Sequence, residues 1–461
     1  MNRRKDFIKI KQLISKYNIS KLYHFTDYEN LESIVKNGGL FSYGDCIRKG
    51  IRIAKAGGSE LSHELDEREH LQYYVRASFC KRHPMMYSAM QDGRINNPII
   101  LEIDTDVLFI DGCIYSNKNA VRSDASKGTS FDALANIHFD TTLQNSQFDV
   151  PEDEQEFFQA EVLVPKFIPL HYILNISNYY KPETLSINHI FPASYTAPIT
   201  DNNPTSILFV INQSYPTNEK IDFDGIPIPK AEAVSHIING VINKTISENK
   251  DGNIGRKLFL DAIGYGDYAY PLGDKEGFLP LQEIATSSKG QPWIKPQSEG
   301  NANLFSALRM ARRKVENWIT EHPDSYPPTI IHITEYRYHG ADDSTMVQLA
   351  NELKFLSTNN GNALFFNIII TAKDDGKALY FPSSKDDLKD SYYGEMYYLL
   401  SSKLPLSYNE RLSRYHSVDN PCEPLQGFAF MIPFNNLKDL LLSIIPRLDD
   451  NKEIIIGSKH R

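Results

Sequence analysis

From residue 205 onward the chain alternates two kinds of apolar segment with a regularity that few architectures accommodate. SILFVIN, at 206–212, is an unbroken apolar run of strand length. Runs of this kind belong to strands covered on both faces. AEAVSHIINGVINKTI then reads as a helix, KLFLDAIGYG as a strand and LFSALRMARRKVENWI as a helix. The pattern continues with TIIHIT, STMVQLANELKFLS, ALFFNIIIT, MYYLLSS and FAFMIP, and closes on a helix at about 435–443. Alternation of this sort predicts an α/β domain over 205–461: a doubly wound, mostly parallel sheet with helices on both faces.

The first part of the chain has a different texture. Residues 5–18 read as an amphipathic helix, and KLYHF as a short strand. A helix follows, with Thr26 or Asp27 as its cap, Leu31, Ile34 and Val35 as its buried stripe, and Gly38-Gly39 as its stop. The segments YYVRASF, PIILEID, VLFI, AEVLV and HYILNI read as short strands. Together they predict an α+β domain over 1–178. Prolines at 182, 192, 198 and 204 mark 179–204 as a linker.

No apolar run reaches the ~18–20 residues of a membrane span, and MNRRKDFIKIKQ lacks the apolar core of a secretory signal. The four cysteines, Cys46, Cys80, Cys113 and Cys422, form no CxxC pair. A reduced, cytoplasmic protein without a cysteine zinc site is expected. The net charge of −9 excludes a whole-molecule basic field for nucleic acid. The charge is uneven, however: residues 1–100 hold 17 Lys and Arg against 11 Asp and Glu. Only this stretch could present a phosphate-attracting face; a solvated helix surface explains it equally well.

Four segments of the first domain could carry chemistry. Tyr23-His24-Phe25-Thr26 puts a histidine on a short strand just before a helix, poised to bond into a cleft or satisfied in a core. The basic stretch 48–82 holds Arg48, Arg52, Arg68, Arg76 and Arg82; a guanidinium fork suits a diphosphate. Pro84-Met85-Met86-Tyr87 could wall a flat ring or pack in a core. Gln159-Ala160-Glu161-Val162-Leu163-Val164 puts one carboxylate at the start of an apolar strand, either at a solvated edge or in a cleft that raises its pKa.

In order and spacing, LYHFTDYENLESIVKNGGL, YVRASFCKRHPMMY and QAEVLV resemble the DarT family of nucleic-acid ADP-ribosyltransferases over about residues 20–178. The resemblance implies a fold related to the poly(ADP-ribose) polymerase catalytic core and NAD as co-substrate, without a metal. It implies transfer of ADP-ribose to a nucleobase, with single-stranded DNA as the expected acceptor, by a toxin often paired with a macrodomain antitoxin. Carried over to this chain, it makes Glu161 the catalytic carboxylate and His24 and Thr26 the holders of the NAD ribose. Met85 and Tyr87 become pocket lining, and Arg68 the essential arginine, with Arg52 as the alternative. Ser78 stands in the NAD pocket where many members have an aromatic residue. Nicotinamide leaves as an already cationic group, so one carboxylate can stabilise the oxocarbenium-like ribose and accept the proton of the attacking base.

The second domain resembles von Willebrand factor A domains. SILFVINQSYP falls where such domains carry a metal loop, GNANLFSALRMA and IIHITEYRY on the segments that complete it. Asn212, Pro216, Ala302 and Glu335 replace the usual Asp, Ser, Thr and Asp, leaving Ser214 and too few oxygens for a hard cation. A domain that keeps the fold, binds no metal and recruits a protein partner is expected. The expected function is an NAD-dependent ADP-ribosyltransferase toxin. The alternatives are an NAD glycohydrolase and a non-catalytic adaptor acting through the second domain.

Overall fold

A computed structural model describes residues 4–179, 195, 197–248, 255–273, 277–287, 292–335, 337–372, 376–388, 391–416 and 423–446. The chain divides near residue 190 into two compact units, each with its own hydrophobic core. Most of the expected linker, and the tail from 447, lie outside the described residues. Residues 197–204 pack with the second unit: Ile199 is part of its core.

In the first unit helix α1 (Phe7–Lys16) precedes strand β1 (Lys21–Asp27) and helix α2 (Leu31–Lys36). Asp27 is fully buried. Its carboxylate caps the turn that opens α2, accepting from the Glu29 amide at 2.9 Å, and also accepts from the Asn96 and Asn97 amides. After α2 the chain exits through Gly38 at φ +79°, a left-handed conformation suited to glycine. Strand β2 (Gly39–Phe41), helix α3 (Tyr43–Lys49) and helix α4 (Glu60–Arg68) follow. Strand β3 (Tyr74–Ser78), helix α5 (Pro84–Gln91), strands β4 (Pro98–Asp104), β5 (Ile114–Ser116), β6 (Lys127–Gly128), β7 (Glu161–Pro165) and β8 (Phe167–Pro169) complete the frame. Six of these strands form an antiparallel sheet in the order β4-β1-β3-β7-β5-β6. Leu22, Val75, Ala77, Leu101, Val162 and Val164 contribute to its core.

VLFI, expected as a strand, is for the most part a 3-10 turn, Thr105–Phe109, and HYILNI, also expected as a strand, only begins in one, Leu170–Tyr172. The Asp104 carboxylate accepts from the Asp106 amide and turns the chain at the first. At the second, Pro169 lacks the N–H that a continuing ladder needs.

The second unit has the expected α/β architecture. Five parallel strands run in the order 258–265, 205–212, 329–334, 364–371 and 428–433, with short antiparallel strands at both edges. Helices form two mutually packed groups, one around Lys230–Glu248 and Phe434–Ile444, the other around Leu304–Glu321, Asp343–Lys354 and Tyr392–Leu400. Chain order reverses at the strand 205–212, the topological switch point at which open α/β sheets form a crevice. Here Asn212 donates to Thr334 Oγ1 at 2.9 Å and accepts from the Ser214 amide at 2.9 Å. The buried Lys230 ammonium lies 3.0 Å from Glu335 Oε2 and 2.5 Å from Glu219 Oε2. Asn212 is thus bonded to Thr334 and Ser214, and a lysine cation sits on Glu335 Oε2, while the buried Glu335 Oε1 has no hydrogen-bond partner among the described residues. Among the described residues no three His, Cys, Asp or Glu side chains converge as a metal set.

A fully buried polar chain crosses this sheet. Tyr265 Oη donates to His332 Nε2 at 2.7 Å, His332 Nδ1 donates to Asn367 Oδ1 at 2.7 Å, and Asn367 Nδ2 donates to Ser401 Oγ at 2.9 Å. Burial holds the His332 pKa down to about 4, from an ordinary 6.5. In the first unit burial, helped by the Arg76 charge, holds His83 down to about 4 as well. Below the ordinary pKa the unfolded chain protonates at these rings while the folded chain stays neutral, so stability falls as pH drops from 6.5 towards 4 and levels off below. Each ring contributes about 1.4 kcal/mol per pH unit in that window. The His332 ring should stay neutral down to about pH 4 in an NMR titration of the full chain. A midpoint near 6.5 would exclude it as a source of acid lability.

Candidate active site

The register of β3 and β7 creates the site. Ser78 lies directly opposite Glu161 and Arg76 opposite Leu163. Arg76, Ser78 and Glu161 therefore share a face, with Arg76 diagonal to Glu161 and within reach of a long side chain. Val75, Ala77, Val162 and Val164 occupy the core face. Glu161 is 5% exposed. Its Oε2 accepts from Arg76 Nη1 at 2.5 Å and from the Ala120 amide at 2.9 Å. The second arm of Arg76 donates to Asp66 on α4. Burial pushes the Glu161 carboxyl above the usual glutamate range, while Arg76 and the Ala120 amide pull against it.

β1 and β3 are paired at one position, Tyr23 opposite Ser78, and beyond it the sheet opens between them. The half-buried His24 turns into this gap, where Nδ1 lies 2.7 Å from the Arg76 carbonyl oxygen. A carbonyl only accepts, so the proton resides on Nδ1 and Nε2 keeps its lone pair. Burial lowers the His24 pKa and favours this neutral ring. Arg76 thus touches both sequence-predicted site residues, holding His24 by its backbone and Glu161 by its side chain.

The other sequence-predicted residues are distributed unevenly. Ser78 is buried, and its hydroxyl donates to the Cys80 carbonyl at 2.8 Å. Thr26, also buried, accepts from the Asn30 side chain at 3.0 Å. Met85 begins α5 half-buried, with its amide donating to His83 Nδ1 at 3.3 Å, whereas Tyr87 is fully buried. Arg68 does not join the cluster. It sits at the exposed end of α4, with Glu69 3.7 Å away. Arg52 is exposed on the segment between α3 and α4.

Three groups at the site escaped the sequence reading. Arg76 stood in the basic stretch but was not singled out; its signal was a charge at i−2 from Ser78 in an apolar strand. Asp66, in HELDER, pairs with it. The Ala120 amide carried no side-chain signal at all. It is delivered by the loop 117–126, tied by Lys118 and Arg122 to Asp124 and Glu156. Lys127 donates to the Ala120 carbonyl at 2.8 Å and anchors its far side.

A neutral histidine with a free acceptor nitrogen, a buried carboxylate held by a guanidinium and an amide, and a sheet that opens between two inner strands suit a ribose-bearing substrate. A family model described as DarT, ssDNA thymidine ADP-ribosyltransferase, matches residues 23–206. Among solved structures, Thermus sp. 2.9 DarT in complex with ADP-ribosylated ssDNA is 21% identical, aligns over 34% of this chain and 79% of its own, and has a TM-score of 0.29. Thermosipho africanus DarTG in complex with ADP-ribose is 16% identical over 76% of this chain and 95% of its own, with a TM-score of 0.32. A von Willebrand factor type A protein from Catenulispora acidiphila is 13% identical over 37% of this chain and 34% of its own, with a TM-score of 0.26. No curated protein matches the chain. Residues 23–206, which include His24, Arg76 and Glu161, thus carry a DarT-type DNA ADP-ribosyltransferase domain.

Proposed function

We propose that this protein transfers ADP-ribose from NAD to a base of single-stranded DNA, with thymidine as the acceptor, and acts as a toxin in the cytoplasm opposed by a macrodomain antitoxin. The observation that carries the reading is the Glu161–Arg76–His24 linkage within the matched region. NAD supplies the ADP-ribosyl group with nicotinamide as its leaving group. Glu161 accepts a hydrogen bond from a ribose hydroxyl, which places negative charge beside the carbon that loses nicotinamide. As the bond from that carbon to the base nitrogen forms, Glu161 takes the proton from the nitrogen. His24 Nε2, with its lone pair, accepts from a second hydroxyl and orients the ribose. Ser78 and Met85 belong to the nicotinamide side of the pocket, with the buried Tyr87 behind them, and Thr26 to the ribose side.

Arg76 takes the place foreseen for Arg68 as a positioning residue: its two arms are committed to Glu161 and Asp66, so it orients the carboxylate rather than the diphosphate. The second unit, whose crevice holds the Lys230–Glu335 pair, recruits a protein partner. Among the described residues no helix is long and apolar enough to cross a membrane. Mass spectrometry of thymidine-containing oligonucleotides incubated with NAD and the full chain tests the reading. An ADP-ribose adduct on the oligonucleotide is expected. Free ADP-ribose alone would assign a glycohydrolase, and intact NAD a non-catalytic adaptor.

A further inference from the structure

Segment 51–58, between α3 and α4, has no helix or strand, yet one side chain holds its backbone at three points. Asn30, 8% exposed, accepts at Oδ1 from the Ala54 and Lys55 amides, at 2.8 and 3.1 Å. Its Nδ2 donates to the Lys55 carbonyl at 2.6 Å and to Thr26 Oγ1 at 3.0 Å. Both lone pairs and both protons of the amide are used. A flipped amide would set N–H against N–H and oxygen against oxygen, so the orientation is determined. Ser33 Oγ adds a bond to the Arg52 carbonyl at 2.8 Å, and Arg94 donates to the Gly57 carbonyl.

The held segment packs against β1 and α4, the elements that carry His24 and Asp66. A Cβ on Gly57 would stand 3.3 Å from the Phe25 ring, between His24 and Thr26 on β1. A Cβ on Gly58 would stand 2.9 Å from the His63 ring. His63 lies one turn before Asp66 on α4, and Asp66 pairs with Arg76. The segment also carries Arg52 and Lys55, which make no ion pair among the described residues. By contrast Arg48, Arg68 and Arg76 are each beside a carboxylate. Two unpaired cations beside a ribose-holding strand suit a diphosphate.

We propose that Asn30 is a positioning residue for NAD: its amide clamps segment 51–58 to the strand bearing His24, and so sets cofactor affinity without taking part in bond cleavage. The proposal rests on the transferase reading above. Steady-state kinetics of the full chain test it, with melting temperature as the fold control. Asn30→Ala should raise KM for NAD about tenfold or more, the scale of one to two lost hydrogen bonds, with kcat within about threefold of wild type. Asn30→Asp keeps the acceptor for both amides and should recover part of the affinity. Equal KM in all three proteins, or a fall in kcat at constant KM, would overturn the proposal. If Asn30→Ala does not fold, hydrogen exchange on the wild type decides. The Ala54 and Lys55 amides should be protected, and more so with NAD; exchange at the unprotected rate refutes the clamp. Wild-type protein that consumes no NAD would end the transferase reading, while the exchange measurement would still judge the clamp.

Discussion

Glu161→Gln should lower the rate of ADP-ribose transfer about 10³-fold, the scale of losing a general base together with its charge, while NAD still binds. The amide is nearly isosteric with the carboxylate, and the Val162 and Val164 side chains keep the strand in the core. Glutamine can still accept from the Ala120 amide and from Arg76 through its oxygen, so the local frame survives. It cannot take a proton or offset positive charge on the ribose. Isothermal titration with NAD and single-turnover transfer, measured on the same preparation, separate binding from chemistry. Transfer at the wild-type rate would remove Glu161 from the mechanism, whatever its burial.

Arg76→Met should be nearly as damaging, by about 10²-fold in kcat, through a different route. Methionine keeps the apolar stem and the backbone carbonyl that holds His24 Nδ1, but removes the cation between Glu161 and Asp66. Burial already pushes the Glu161 carboxyl up, and Arg76 is the largest influence restraining it. Without the guanidinium more of the carboxyl is protonated at a given pH. The acidic limb of the pH–rate profile should therefore move to higher pH, and activity should partly return in alkaline buffer. Arg76→Lys should be intermediate, since an ammonium retains charge but not the fork that reaches both carboxylates. Arg68→Ala, on the exposed end of α4, should leave the acidic limb where it is. An unshifted limb in Arg76→Met would show that the short contact with Glu161 has no catalytic consequence.

The pairing of Arg76 with Glu161 shows how register converts a weak signal into a site. On the sequence, Arg76 is one of several arginines in a basic stretch and Arg68 the favoured one, because the HELDER stretch resembles the family's arginine segment although its gap to Phe79-Cys80 is shorter than usual. The antiparallel register of β3 and β7 places residue 76 diagonally across from 161, and helix α4 turns Asp66 rather than Arg68 inward. Thr26 illustrates the reverse. Its place in the Tyr-His-x-Thr motif was legible, but its hydroxyl oxygen already accepts from the Asn30 side chain.

What the sequence determined by itself was periodic or local. Apolar runs of strand length alternating with helical stripes specify the parallel sheet of the second unit, because each element must bury one face or two. The motifs around His24 and Glu161 identify the first unit, and the loss of oxygen ligands at Asn212, Pro216 and Ala302 follows from side-chain chemistry alone. Only the tertiary structure decided which groups meet. Arg76 and the Ala120 amide reach Glu161, Asn30 reaches segment 51–58, and Lys230 reaches Glu335, across 85, 41, 25 and 105 residues of chain. Contacts at such separations depend on strand register and on where loops return to the sheet. Those are set by the packing of the whole core rather than by the pattern of any one segment.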